Sequence, residues 1–347
     1  MKVLYISQQH GPHDRRFLSA IAELGHTGLF LCAAPERVQA EHLPAGVHAV
    51  QGRIADVVRT HRPDVVHAGP LHTLAWQAAG AGARPLAAMS WGSDILYTAQ
   101  RSWWARRKVR VALRQARVLI ADCQAVVDAA AELGYDPQRA VVFPWGIDLQ
   151  RFQPLAAESA LRQSLSWQDS FVLLHLRSWE AVYDTETALQ AFFALAPSQP
   201  QLRLLLPGGG HLAPRIRKLV ERSGFAERVH MPGYLSQEEL PEYYRSADLY
   251  ISASRSDGSS VSLMEALACE LPALVSDIPA NREWVQPGQQ GWLFPVSDAA
   301  ALADKIVAAM QTDLKPYAQR ARQQAEARAD WSKNKLGLQR AYEMAVA

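Results

Sequence analysis

The sequence predicts an α/β protein built as two Rossmann-like, doubly wound parallel sheets in tandem, and three observations carry that expectation. Short apolar runs alternate with longer amphipathic stretches along nearly the whole chain. Strands that alternate with helices build parallel sheets covered on both faces. The alternation stops over residues 150–169, a polar stretch with one proline, and then restarts. At 347 residues the chain is long for one core and comfortable for two.

In the first half, Val3–Ile6, Leu29–Cys32, Val65–His67, Leu86–Ser90, Val118–Ala121 and Val141–Phe143 read as buried strands. Arg16–Leu24 and Val109–Ala116 carry helical spacing between them. The second half repeats the pattern with Phe171–Leu176, Leu202–Leu206, Val229–Met231, Leu249–Ser252 and Ala273–Ser276. The expected domains are residues 1–155 and 170–314, followed by a helical tail over 315–347. In doubly wound sheets ligands bind beyond the carboxyl ends of the strands. Two such domains facing each other would make a cleft, so residues just after strands deserve inspection first.

Composition narrows the class. With 49% hydrophobic and 20% charged residues the chain is an ordinary globular protein, and a net charge of +2 gives no global pull toward nucleic acid. Cys32, Cys123 and Cys269 are far apart and odd in number, which argues against a disulfide framework and suits a reducing cytosol. The opening MKVLYISQQ is too short for a signal-peptide core, and no apolar run nears the roughly 18 residues that span a bilayer. A cytoplasmic protein is expected. His10, His67 and His72 form no His-x-x-x-His pair and the chain has no Asp-x-Asp, so no metal site is expected.

The richest segment is residues 252–277. A strand runs into Ser256-Asp257-Gly258-Ser259-Ser260 and then into the apolar helix Val261–Cys269. Small residues let a ligand approach the backbone, and the first helical amides with the helix dipole form an anion site suited to a diphosphate. Asp257 and Glu265, seven residues apart in the intervening count, could bracket a ligand and accept hydrogen bonds from sugar hydroxyls. The competing reading is structural: Asp257 and the serines cap the helix, and Ser262 with Glu265 fits an S-x-x-E capping box.

This segment resembles the signature of family 4 retaining glycosyltransferases of the GT-B fold, where two acidic residues at this spacing precede a Glu-Ala-x-Ala helix. Glu265-Ala266-Leu267-Ala268 and Leu271-Pro272-Ala273-Leu274-Val275 match it. Asp64-Val65-Val66-His67, Gly92-Ser93-Asp94, Ala121-Asp122-Cys123, Gly146-Ile147-Asp148-Leu149 and Gly291-Trp292-Leu293-Phe294 follow the family's order. The resemblance implies that Glu265 holds ribose hydroxyls and Asp257 the transferred sugar, while the amides of Ser260 and Val261, beside Gly258, meet the diphosphate. It implies that Arg177 is the phosphate-binding arginine, a group that can grip phosphate bidentately and offset leaving-group charge. Gly208, Gly209 and Gly210 would admit the nucleotide and Tyr234 would wall the base; a simple turn and a core tyrosine are the alternatives.

Three departures from the family stand out. Asp257 replaces the usual glutamate, Trp91 replaces a histidine before Gly-Ser-Asp, and the lysine expected after Arg177 is absent from Trp179–Asp184, where Tyr183 cannot supply the charge. In the N-terminal half, Gly11, His13, Arg15 and Arg16 follow the first strand and, with Trp91 and Asp94, are the acceptor-side candidates; charges that merely start a helix are the alternative. Arg101–Arg117 holds seven Arg or Lys, no acid and two adjacent tryptophans. It reads either as a helix lying on an anionic membrane, at the inner face, or as a solvated helix whose tryptophans pack on the domain.

The expected activity is metal-independent, retaining hexosyl-type transfer from a nucleotide diphosphate sugar, with no cofactor beyond that co-substrate. The acceptor is a hydroxyl of a glycan, a lipid-linked sugar or a small molecule, and nucleic acid is not a partner. The alternatives are a nucleotide-sugar epimerase or hydrolase of the same fold, or a nucleotide-sugar-binding protein impaired in catalysis.

Overall fold

The structure, a computed structural model, describes residues 1–38, 40–154 and 159–347. It divides into two compact units, one formed by Met1–Pro144 with Ser332–Ala347 and the other by Trp145–Trp331. The boundary expected at Leu155 lies outside the described residues.

The first unit carries seven strands: β1 (Lys2–Ser7), β2 (Thr27–Cys32), β3 (Val47–Val50), β4 (Val65–Ala68), β5 (Leu86–Met89), β6 (Val118–Ala121) and β7 (Ala140–Val142). They are ordered β3-β2-β1-β4-β5-β6-β7 and all adjacent pairs are parallel. The second carries β8 (Phe171–Leu174), β9 (Leu202–Leu205), β10 (Val229–His230), β11 (Leu249–Ser252), β12 (Ala273–Ser276) and β13 (Gly291–Phe294). Their order is β10-β9-β8-β11-β12-β13, again parallel throughout. In each sheet the chain moves outward in one direction and then restarts on the other side of its first strand. The direction therefore reverses between β1 and β4 and between β8 and β11, which is where doubly wound sheets open a crevice.

The central strands are apolar because helices cover both faces: β4, β5, β6, β11 and β12 are buried at every residue. In the second unit one apolar layer, around Leu263, Met264, Tyr250 and Trp284, packs on one face of the sheet. A second, around Leu189, Phe192, Leu204 and Ile306, packs on the other. Two strands missing from the sequence reading, β3 and β13, lie at sheet edges, where β3 exposes two of its four residues and loses the buried-strand pattern.

Helix starts also fall earlier than the apolar spacing suggests. The helix expected over Arg16–Leu24 spans Pro12–Glu23, with proline in its first turn and the Asp14 carboxylate accepting from the Gly11 amide at 2.8 Å. The segment expected as a separate tail is shared out instead. Helix Lys315–Arg328 packs within the second unit, while Leu336–Val346 returns to the first and lies against β4 to β7. There the Tyr342 hydroxyl meets Nδ1 of the fully buried His67 at 2.8 Å.

Candidate donor site of the second unit

Four loops at the carboxyl ends of β8, β9, β10 and β11 interlock around the crevice. The Trp179 amide donates to the Gly209 carbonyl at 2.7 Å, and the Gly208 amide to the Gly233 carbonyl at 2.7 Å. The glycines are required by space. At Gly208 φ is +126° and a Cβ would sit 2.8 Å from the Arg177 carbonyl, whereas at Gly209 it would meet the Tyr234 ring at 2.9 Å. Tyr234 covers Gly209 while remaining 74% exposed, so it is a surface ring at the crevice rather than a core tyrosine.

Arg177, from the β8 loop, is the centre of the site. Its Nη1 donates to Ser260 Oγ at 2.6 Å and to Ser262 Oγ at 3.1 Å, and its Nη2 donates to Asp257 Oδ2 at 2.6 Å. The Tyr183 ring lies 4.0 Å from the guanidinium carbon, a cation–π contact. Nε is buried with no hydrogen-bond partner. Burial works against the charge of Arg177, but Asp257 and, after it, the tyrosine hydroxyls together outweigh it and raise the pKa above its ordinary value. Burial pushes the Asp257 carboxyl up, with the Arg177 charge and then the Gly258 amide, at 3.0 Å from Oδ1, pulling against it.

The helix Val261–Ala268 has Ser260 as its N-cap, whose hydroxyl accepts from the Leu263 amide at 3.4 Å. The S-x-x-E capping box at Ser262 and Glu265 is thereby corrected. Ser262 lies inside the first turn with its hydroxyl on Arg177 and on Tyr250 (2.8 Å), and Glu265 Oε2 accepts from the buried Tyr244 hydroxyl at 2.7 Å. Asp257 is likewise no helix cap, since its oxygens take Arg177 and Gly258. The loop before the helix is fixed from behind, because Trp284 Nε1 donates to Ser259 Oγ at 3.1 Å. Arg177, Asp257, Ser260 and Ser262 are thus in direct contact, with Glu265 one helical turn beyond Ser262 on the same helix.

Three tyrosines contribute in ways that sequence reading does not show. Tyr183 fills the region of the missing lysine and supports Arg177 with its ring instead of adding charge. Tyr244 and Tyr250 orient Glu265 and Ser262 from another helix and from β11. No spacing rule reveals such contacts, since the Tyr244–Glu265 and Tyr250–Ser262 bonds span 21 and 12 positions and the Tyr183 ring folds back onto Arg177 within one loop.

In the first unit the candidates divide. His13 and Trp91 are in ring contact, with centroids 5.5 Å apart, and Arg15 Nη1 reaches Nδ1 of His42 at 3.5 Å. Gly11 and Arg16 sit at the start of the same helix as His13, both half-buried. Asp94 is buried and already accepts from Ser90 Oγ (2.6 Å), the Leu71 amide (2.7 Å) and the Ile95 amide (3.0 Å), with burial raising its pKa. That carboxylate braces the loops after β4 and β5. A cavity of about 770 Å³, bordered by Cys32, Gln51, Arg53 and Gln77, opens beyond β1 to β3. None of the six candidates lines it. Among the described residues, no three His, Cys, Asp or Glu side chains gather as a metal site.

Comparison with known proteins places this architecture. A model described as glycosyl transferases group 1 matches residues 158–329, and one described as glycosyltransferase family 4 matches residues 15–151. Bacillus subtilis EpsD is 27% identical over 164 residues, 46% of this chain and 42% of that protein. D-inositol 3-phosphate glycosyltransferase of Streptomyces scabiei is 25% identical over 299 residues, covering 77% of this chain and 65% of that protein. The chain thus spans less than two thirds of either relative's length. Among solved structures, Anabaena HepE in complex with UDP aligns at a TM-score of 0.83 and 22% identity, covering 99% of this chain and 100% of that one. Sucrose-phosphate synthase of Thermosynechococcus elongatus aligns at 0.80 and 19%, covering 99% and 98%. At those identities the two structures establish the shared GT-B fold.

Proposed function

Because the chain belongs to the family 4 glycosyltransferases, we propose that it moves a sugar from a nucleotide diphosphate sugar to an acceptor hydroxyl, with retention and without a metal. The observation that carries this reading is Arg177. It is a buried cation aligned by Asp257, Ser260, Ser262 and Tyr183, yet it keeps an unpartnered Nε beside the first turn of the helix Val261–Ala268. A buried donor left unpaired costs about 1–3 kcal/mol, and a phosphate oxygen would satisfy it.

In the proposed reaction the acceptor oxygen bonds to the sugar's anomeric carbon on the face from which the diphosphate leaves. The acceptor proton passes to the departing phosphate oxygen, so the products are a glycoside and a nucleoside diphosphate. Arg177 and the helical amides stabilise the charge that grows on the leaving group, and Glu265 holds the ribose. Prealigned donors of this kind need no reorganisation during reaction. The acceptor is a hydroxyl of a glycan, a lipid-linked sugar or a small molecule. For it the first unit offers the His13–Trp91 loops and the cavity beside Arg53.

HepE was crystallised with UDP and with UDP-glucose, which supports uridine diphosphate sugars as the first donors to try. The test is a screen of labelled nucleotide sugars with chelator present, with products separated chromatographically. Nucleoside diphosphate and a new glycoside formed together support the reading. Activity that needs added magnesium or manganese contradicts the metal-independent part. A free or epimerised sugar formed without acceptor favours a hydrolase or epimerase.

A further inference from the structure

The helix Trp103–Gln115 of the first unit is unusual on its outer side. Its inner side is spent in the fold, since Ala105, Val109, Ala112 and Leu113 are buried. Outward, Trp103, Arg107, Arg110 and Arg114 follow one another at intervals of four, three and four residues, which keeps them on one exposed stripe. Trp103 and Trp104 are 63% and 64% exposed, their rings meeting edge to face at 4.5 Å, with the Arg107 guanidinium 5.8 Å from the Trp103 ring centre. No acidic residue occurs from Ile95 to Ala121. Among the described residues no carboxylate pairs with Arg101, Arg107, Arg110 or Arg114. A chain with net charge +2 therefore concentrates unneutralised positive charge on one helical face.

We propose that this face docks on an anionic lipid surface, with Trp103 and Trp104 entering the headgroup layer and the arginine stripe lying along it. Charge complementarity selects an anionic partner. The placement of the indoles selects lipid over nucleic acid. They are paired with each other at one end of the stripe, whereas single-strand binding uses aromatic rings spaced to stack successive bases. Indoles settle at membrane interfaces because an apolar ring and a polar N–H are accommodated together. No described helix is long and apolar enough to cross a membrane, so the contact is attachment at a surface. The inference stands apart from the donor site and its test reads no catalysis.

The test is co-sedimentation of the whole chain with vesicles of phosphatidylcholine alone or mixed with phosphatidylglycerol, with quenching by bromine-labelled lipid. Binding is expected only with phosphatidylglycerol, and it should fall as salt rises from about 0.05 to about 0.5 M. Each arginine near the surface contributes about fivefold, so Arg107→Gln, Arg110→Gln and Arg114→Gln together should lower partitioning on the order of 100-fold. Trp103→Ser with Trp104→Ser should weaken binding and remove the quenching. Thermal unfolding and circular dichroism check that both variants remain folded, and the exposed positions make this the expected outcome. Equal binding to neutral vesicles, no binding to anionic ones, or unchanged binding and quenching after the tryptophan changes would overturn the proposal. So would salt-sensitive capture of single-stranded RNA by the same arginines without vesicle binding.

Discussion

Asp257→Asn separates the two halves of the donor-site argument because it removes one charge and little volume. Arg177 and Asp257 are paired at 2.6 Å with side chains only 9% and 15% exposed. At about 4 Å between charge centres and an effective dielectric near 20, the attraction is about 4 kcal/mol. Asparagine keeps an oxygen that can accept from Nη2, and Ser260 and Ser262 remain, so the expected loss of stability is about 3 kcal/mol, at the lower end for breaking a buried pair. The lone guanidinium then becomes a stronger site for an anion. Nucleoside diphosphate should bind the variant about tenfold more tightly, recovering about 1.4 kcal/mol. Transfer should nevertheless slow by one to two orders of magnitude, because a charged contact worth about 1.5–3 kcal/mol is gone. Urea unfolding with and without ligand, calorimetric titration and initial rates measure all three quantities. Unchanged stability together with unchanged diphosphate affinity would refute the pairing, and a wild-type transfer rate would remove Asp257 from the reaction.

Other substitutions probe the neighbours. Glu265→Gln keeps the shape and an acceptor for Tyr244, so stability should change by less than about 1 kcal/mol while nucleoside diphosphate binding weakens about tenfold; an unchanged dissociation constant in titration would take Glu265 off the ribose. Tyr183→Phe should preserve activity within about twofold, and Tyr183→Ala should lose about 1–2 kcal/mol of support for Arg177; equal rates in both variants would assign the ring no role. Gly208→Ala places a Cβ against the Arg177 carbonyl at a φ of +126°, so donor binding should be lost in the same titration, and normal binding would contradict the close packing of the loops. His175 is buried, bonded to the Ile251 carbonyl and Thr185, and pushed down to about 4, first by burial. The unfolded chain titrates near 6.5, so its stabilising effect is complete above that pH and falls by about 3 kcal/mol as pH drops toward about 4. Urea midpoints across that range should follow the slope, and His175→Gln should flatten it; an equally steep variant would assign the slope elsewhere.

Much of the fold was legible in the sequence because buried parallel strands are apolar on both faces. Leu249–Ser252 and Ala273–Ser276 coincide with β11 and β12. The edge strands β3 and β13 were missed because an edge strand need not be buried throughout. The destination of Leu336–Val346 was illegible too, since its amphipathic pattern says that it packs but not on which sheet. At the candidate site, the loop of small residues and the helix after it were legible, and the structure brings Asp257 and Ser260 together on Arg177 with Glu265 on the helix that follows. Their partners were not visible: Arg177 grips Asp257 across 80 positions of sequence, and Tyr183 joins them through a ring contact that no local rule encodes. The exposure of Trp103 and Trp104 settles against the reading in which they pack on the domain.

The central claim is that this chain transfers sugar with retention at the Arg177 site. The most direct measurement incubates the protein with an α-linked nucleotide diphosphate sugar and a hydroxyl acceptor and determines the anomeric configuration of the product by NMR. The account predicts an α-linked glycoside formed in step with nucleoside diphosphate, and at least a hundredfold slower reaction in Arg177→Met, where a transition-state charge contact is lost. A β-linked product, or an Arg177→Met variant as fast as wild type, would contradict it.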